Sequence, residues 1–162
     1  MKVKKEIPYL RIGSVVFPNA YLRMDATGVN RRVDAGAGIV NCQFGAQENE
    51  LFKFVQYEDN TYTIEPMKYP GVFLRMDGNG VTTFNGKNLG TVNCQFGAYG
   101  WEHFRLHKQD NGSYTIESVT FPGVFLRMDG NNVKSFSGSG SGSVTCQFTA
   151  RSWEQFRIEA DL

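Results

Sequence analysis

The chain repeats itself at a fixed period of 52 residues, which places Arg23, Arg75 and Arg127 in register within VFPNAYLRMD, KYPGVFLRMD and TFPGVFLRMD. Cys42, Cys94 and Cys146 keep the same spacing, and no insertion or deletion separates the copies. Copies two and three agree at 27 of 49 aligned positions (62–110 against 114–162), too many for coincidence at a fixed register. A period of this size means one supersecondary unit per copy, each unable to bury its apolar face alone and sharing a core with its neighbours. Any function is therefore sought first as three related surfaces.

The 162 residues are 41% hydrophobic and 14% aromatic, enough for a full core, and they suit one domain over 1–162 with copies at about 10–61, 62–113 and 114–162. A formal net charge of +1 gives no broad electrostatic footprint, so neither a nucleic-acid backbone nor an anionic membrane is an expected partner. The basic start Met1-Lys2-Val3-Lys4-Lys5 reads as a solvated terminus. No signal-peptide-like apolar region follows it, and no stretch approaches the ~20 apolar residues of a spanning helix. The expected compartment is the cytoplasm, or the exterior for a chain already trimmed.

Each cysteine sits in Val-x-Cys-x-Phe (Val40/Cys42/Phe44, Val92/Cys94/Phe96, Val144/Cys146/Phe148), where alternation puts the three side chains on one face. That face is read as core, with cysteine acting as a small hydrophobe. A three-thiolate metal site is the sharper alternative, but no CxxC or CxxH spacing supports it, and neither metal nor cofactor is expected.

Within copy two the strand candidates are Tyr62–Glu65, Val72–Asp77, Val81–Phe84 after a Gly78-Asn79-Gly80 turn, and Glu102–Leu106. No segment carries a sustained helical stripe, so helices should be nearly absent. Four strands in each of three copies give about twelve. This all-β pattern resembles a β-trefoil, in which six strands close a short barrel and six form capping hairpins.

Within those copies, FPGVFLRMDG and YPGVFLRMDG resemble the Phe-Pro-Gly-x-Tyr-Leu-Arg signature of arabinofuranosidase B-type carbohydrate-binding domains. An apolar hairpin strand, a turn and a closing Trp-x-x-Phe are also similar to fascin-like actin-crosslinking domains. The first resemblance implies a sugar-binding module with a His after Leu-Arg and an Asp in the closing strand as sugar ligands. Here those positions hold Met24, Met76 and Met128, and Asn49, Trp101 and Trp153. Arabinofuranose specificity is therefore not carried over; a scaffold and a general expectation of binding are.

A sugar site needs an acceptor for neighbouring hydroxyls, a donor fork and an aromatic plane. Copy two offers Arg75, Asp77, Asn93, Gln95 and Trp101; copy three Arg127, Asp129, Gln147 and Trp153, with Thr145 replacing the Asn; copy one Arg23, Asp25, Asn41 and Gln43, without the aromatic. Each has a structural reading beside the ligand one. Asp77 can cap the amides of its turn. Arg75 can be clamped to Glu102 or to loop carbonyls, Gln95 can satisfy the long Gly-rich loop before it, and the tryptophans can be core lids. The loops 30–39, 82–91 and 134–143 vary most and are where selectivity would sit.

His103 and His107 have no counterparts in the other copies, and no glycine-flanked serine, phosphate loop or metal-binding helix occurs, so no catalysis is expected. The expected function is a lectin-like module with two or three weak glycan sites, multivalent through the repeat. The alternative is a fascin-like actin-binding or other protein-interaction module, which three unpaired thiols would suit in the cytosol.

Overall fold

The structure, a computed structural model, describes residues 2–84 and 89–161. Part of the variable loop 82–91 thus lies outside the described residues. In copy one the strands are β1 (Val3–Ser14), β2 (Ala20–Asp25), β3 (Ile39–Phe44) and β4 (Phe52–Tyr57). Copy two supplies β5 (Tyr62–Pro66), β6 (Val72–Asp77), β7 (Gly90–Phe96) and β8 (Phe104–Lys108). Copy three supplies β9 (Tyr114–Ser118), β10 (Val124–Asp129), β11 (Gly142–Phe148) and β12 (Phe156–Ala160). The only helical elements among the described residues are three-residue 3-10 turns, Glu48–Glu50, Gly100–Glu102 and Ser152–Glu154. None is long or apolar enough to cross a membrane.

The outer strands of the copies close a ring: β1 pairs β4, β4 pairs β5, β5 pairs β8, β8 pairs β9, β9 pairs β12 and β12 returns to β1, all antiparallel. The inner strands form hairpins β2–β3, β6–β7 and β10–β11, with Leu22↔Cys42, Leu74↔Cys94 and Leu126↔Cys146 in matching register. This is a β-trefoil, and closure removes the free edges that an open sheet would present. Ile12, Ile64 and Ile116 with Phe52, Phe104 and Phe156 are fully buried residues of the barrel strands. Leu22, Leu74, Leu126 and the three methionines that follow them fill the hairpin side. Each such side chain contributes on the order of 1.5–3 kcal/mol by leaving water, and one cluster joins all three copies.

Two details depart from the sequence reading. The third strand of copy two is Gly90–Phe96, not Val81–Phe84. Val81 instead closes the turn, its N–H donating to Gly78 O at 3.0 Å while its side chain is buried, so alternation there reflects an anchored turn. Of the phenylalanines of Val-x-Cys-x-Phe, Phe44 and Phe148 pack half-buried against the core, whereas Phe96 is 39% exposed and lies over Gly71.

The cysteines are free and fully buried, and burial pushes all three thiols up to about 12. Each faces a glycine of another copy. A Cβ on Gly38 would overlap Cys94 Sγ, one on Gly90 would overlap Cys146 Sγ and Asp77 O, and one on Gly142 would overlap Cys42 Sγ and Asp129 O. Backbone pairing fixes these approaches, with Ala37 and Cys94 exchanging N–H···O bonds of 2.8 and 3.0 Å and Gly90 opposite Cys146. The loop closing one hairpin is thereby laid against the next hairpin around the three-fold axis. Gly90→Ala should destabilise the protein by about 1–3 kcal/mol through overpacking, and Cys146→Ala should relieve part of that loss in the double variant. Urea midpoints of the four proteins test this; an unchanged midpoint for Gly90→Ala contradicts it.

Candidate functional site

The repeated polar residues of the hairpins divide into two groups by what they touch. The aspartates follow the turn reading. Asp25 accepts from Thr27 N and Oγ1 at 3.1 and 2.6 Å, Asp77 from Asn79 N at 3.0 Å, and Asp129 from Asn131 N at 3.0 Å. The Thr27 hydroxyl, first among the causes, holds the Asp25 carboxyl below its ordinary value.

Arg, Asn and Gln reach across to the loop of another copy. Arg75, 4% exposed, donates Nη1 to Asn93 Oδ1 at 3.1 Å and Nη2 to Asp34 O at 3.4 Å. Asn93 Nδ2 donates to Ala35 O at 3.0 Å. Gln95 Oε1 accepts from Phe96 N at 3.1 Å and Val33 N at 3.0 Å, and its Nε2 donates to Val33 O. Copy one repeats the pattern on the loop of copy three: Arg23 bonds Asn41 at 3.3 Å and Gly138 O at 3.2 Å, Asn41 bonds Ser139 O at 2.9 Å, and Gln43 accepts from Ser137 N at 3.1 Å. In copy three Arg127 Nη1 donates to Thr145 Oγ1 at 3.3 Å, and Gln147 accepts from Phe148 N at 3.0 Å. The loop position matching Val33 and Ser137 is residue 85, outside the described residues. The glutamine thus serves a long loop, though not the one preceding it in its own copy.

Beside each of these latches lies a cleft, at equivalent positions in the three copies. The clefts measure about 150 Å³ at Arg23, about 380 Å³ at Arg75 and about 270 Å³ at Arg127. Each floor carries a buried glutamate from the 3-10 turn. One oxygen of Glu50, Glu102 and Glu154 accepts a backbone N–H across its turn, from Gln47, Tyr99 and Arg151, at 2.7, 2.7 and 2.6 Å. Arg23 Nε and Arg127 Nε stand 3.9 Å from the other oxygen of Glu50 and Glu154. In the second cleft Glu102 Oε1 meets Arg32 at 3.9 Å, and Oε2 has no hydrogen-bond partner among the described residues. Desolvation raises all three carboxyl pKa values despite these partners.

Tryptophan rings wall two of the clefts. Arg75 lies 4.7 Å from the Trp101 ring centre and Arg127 4.5 Å from that of Trp153. The half-buried indoles rest edge-on against Phe121 at 5.1 Å and Phe17 at 5.2 Å. Asn49 occupies this place in the first cleft. Loop residues of the preceding copy complete each rim at position 32, 84 or 136: Arg32 stacks on Tyr99 at 4.1 Å, Arg151 on Phe84 at 4.1 Å, and Phe136 borders the first cleft. Tyr99 is 60% exposed.

Of the sequence candidates, Arg23, Arg75, Arg127, Gln147, Trp101 and Trp153 line clefts, while Asp25, Asp77, Asp129, Asn41, Asn93, Gln43 and Gln95 do not. Arg32, Phe84 and Phe136 lie in the loops 30–39, 82–91 and 134–143 where selectivity is expected, but which cleft each borders was not legible because that cleft belongs to another copy. Their one signal was a shared position within the period. His103 stands apart, its Nδ1 3.2 Å from Thr61 Oγ1, and His107 Nε2 lies 2.7 Å from Glu117 Oε1.

No family model matches the chain, and no curated protein does. Solved structures are similar in fold. A mosquitocidal holotoxin aligns at 16% identity and a TM-score of 0.71, over 98% of this chain and 17% of its own. A Polyporus squamosus lectin, bound to the human-type influenza-binding epitope Neu5Acα2-6Galβ1-4GlcNAc, aligns at 16% identity and 0.65, over 94% and 49%. The designed three-fold symmetric protein ThreeFoil aligns at 14% identity and 0.68, over 94% and 98%. The chain therefore spans about a sixth of the toxin and about half of the lectin.

Because the glutamate pKa values are raised on folding, the native state holds protons that the unfolded chain releases. These groups therefore add stability as pH falls from neutrality toward the ordinary glutamate value of 4.5, and withdraw it as pH rises through their folded values. Glu102→Gln should flatten this rise, and urea midpoints across the mildly acid range would show it. An identical pH profile in the variant contradicts the assignment.

Proposed function

We propose that the protein is a carbohydrate-binding module whose sites are the clefts between neighbouring copies. The observation that carries this reading is the combination repeated in the second and third clefts: a half-exposed tryptophan, an arginine fork across its face and a carboxylate at the floor. Sugar rings offer an apolar face suited to an indole and vicinal hydroxyls suited to a guanidinium and a carboxylate. The lectin among the similar structures, with its glycan bound, supports a ligand of this class. The second and third clefts are the principal sites, since Asn49 stands in the first where they carry an indole. Volumes near the lower end for small-molecule sites fit one sugar residue each, hence weak single-site binding strengthened by avidity.

Trp101→Ala with Trp153→Ala should lower glycan-array and titration affinity by about tenfold or more, each truncation removing stacking of roughly 0.5–1.5 kcal/mol beyond its area. The β-sheet circular dichroism should remain, because neither indole belongs to the barrel core. Unchanged glycan affinity in the folded double variant would remove the clefts as sites.

A further inference from the structure

The three clefts share a plan but not a charge. The first sets Arg23 and Lys68 against Glu48 and Glu50, and the second sets Arg32 and Arg75 against Asp34 and Glu102, so the lining charges cancel in both. Among the described residues, the third sets Arg127 and Arg151 against Glu154 alone. Segment 85–88, next in sequence to its Phe84 wall, reads Asn-Gly-Lys-Asn and contains no acid.

Glu154 is already committed. Its Oε2 lies 3.9 Å from Arg127 Nε and its Oε1 accepts the Arg151 backbone N–H at 2.6 Å. The outer cations of the other clefts are paired, Lys68 with Glu48 at 3.6 Å and Arg32 with Glu102 at 3.9 Å. The Arg151 guanidinium makes no ion pair among the described residues; it lies over Phe84, its central carbon 4.1 Å from the ring centre. A guanidinium fork that makes no ion pair suits a planar anion, which it can hold through two N–H donors. Trp153 stands in the same cleft, able to take the apolar face of a ring bearing that anion.

We infer that the third cleft selects saccharides carrying a carboxylate, uronic or sialic in type, with Arg151 receiving the carboxylate and Trp153 the ring. This rests on the glycan-binding reading and deepens it. Position 151 corresponds to Gln47 in the first copy, so Arg151→Gln installs a residue the fold already accepts there.

Isothermal titration with an oligogalacturonide and with sialyllactose, each beside its methyl-esterified form, tests the inference. The free acids should bind about tenfold or more tighter than the esters, as expected of a charge-assisted hydrogen-bonded pair. Arg151→Gln should erase that preference, bringing acid and ester to equal affinity, and Trp153→Ala should weaken both forms. Equal binding of acid and ester, or a preference that survives Arg151→Gln, overturns the inference and leaves the glycan-binding reading standing. If no saccharide binds in either form, both fall together.

Discussion

The contact on which the rest of this structure depends is the approach of a glycine in one copy to a buried cysteine in another, made around the three-fold axis. Gly38 meets Cys94, Gly90 meets Cys146 and Gly142 meets Cys42. Only a residue without a Cβ lets the long hairpin loop come so close to the next hairpin. Once there, the loop has backbone groups to satisfy, and these are taken up by Gln43, Gln95, Asn41, Asn93, Arg23 and Arg75. The repeated polar side chains are therefore explained first by the loop backbone they bond, since Arg23, Arg75, Gln43 and Gln95 are themselves buried and would be costly to leave unpaired.

The clefts follow from that closure. Loops 30–39 and 134–143, held by the latch, bring Arg32 and Phe136 to the cleft of the next copy, and Phe84 takes the equivalent place in the third cleft, facing position 47, 99 or 151 of the 3-10 turn. Because both positions lie outside the latch, they vary without disturbing it. One pair is Arg32 on Tyr99, another reverses the order with Phe84 under Arg151, and in the first cleft the wall is Phe136. A rigid three-fold frame thus displays three unlike rims, the arrangement expected where a scaffold is fixed and selectivity is not.

Much of the fold was legible in the sequence, because the period counts the copies and the Val-x-Cys-x-Phe alternation marks a buried strand. The turn role of Asp77 was legible too, since an aspartate before Gly-Asn-Gly has backbone amides within reach. The strand at Gly90–Phe96 was misplaced to Val81–Phe84 because an apolar anchor inside a loop imitates strand alternation. The site was less legible still. Gln95 and Val33 stand 62 residues apart, and Arg32 reaches Tyr99 only after the copies close into a ring. Local periodicity carries no information about such pairs.

The central claim, that the loops are held by a neighbouring copy, is tested most directly by amide hydrogen exchange at Val33 and Ala37. Both lie in a surface loop, yet Val33 N–H donates to Gln95 Oε1 at 3.0 Å and Ala37 N–H to Cys94 O at 2.8 Å. The account predicts protection close to that of the barrel strands, falling at Val33 in Gln95→Ala while the barrel keeps its own. Exchange at these two amides as fast as in an unstructured loop, with the barrel protected, would contradict it.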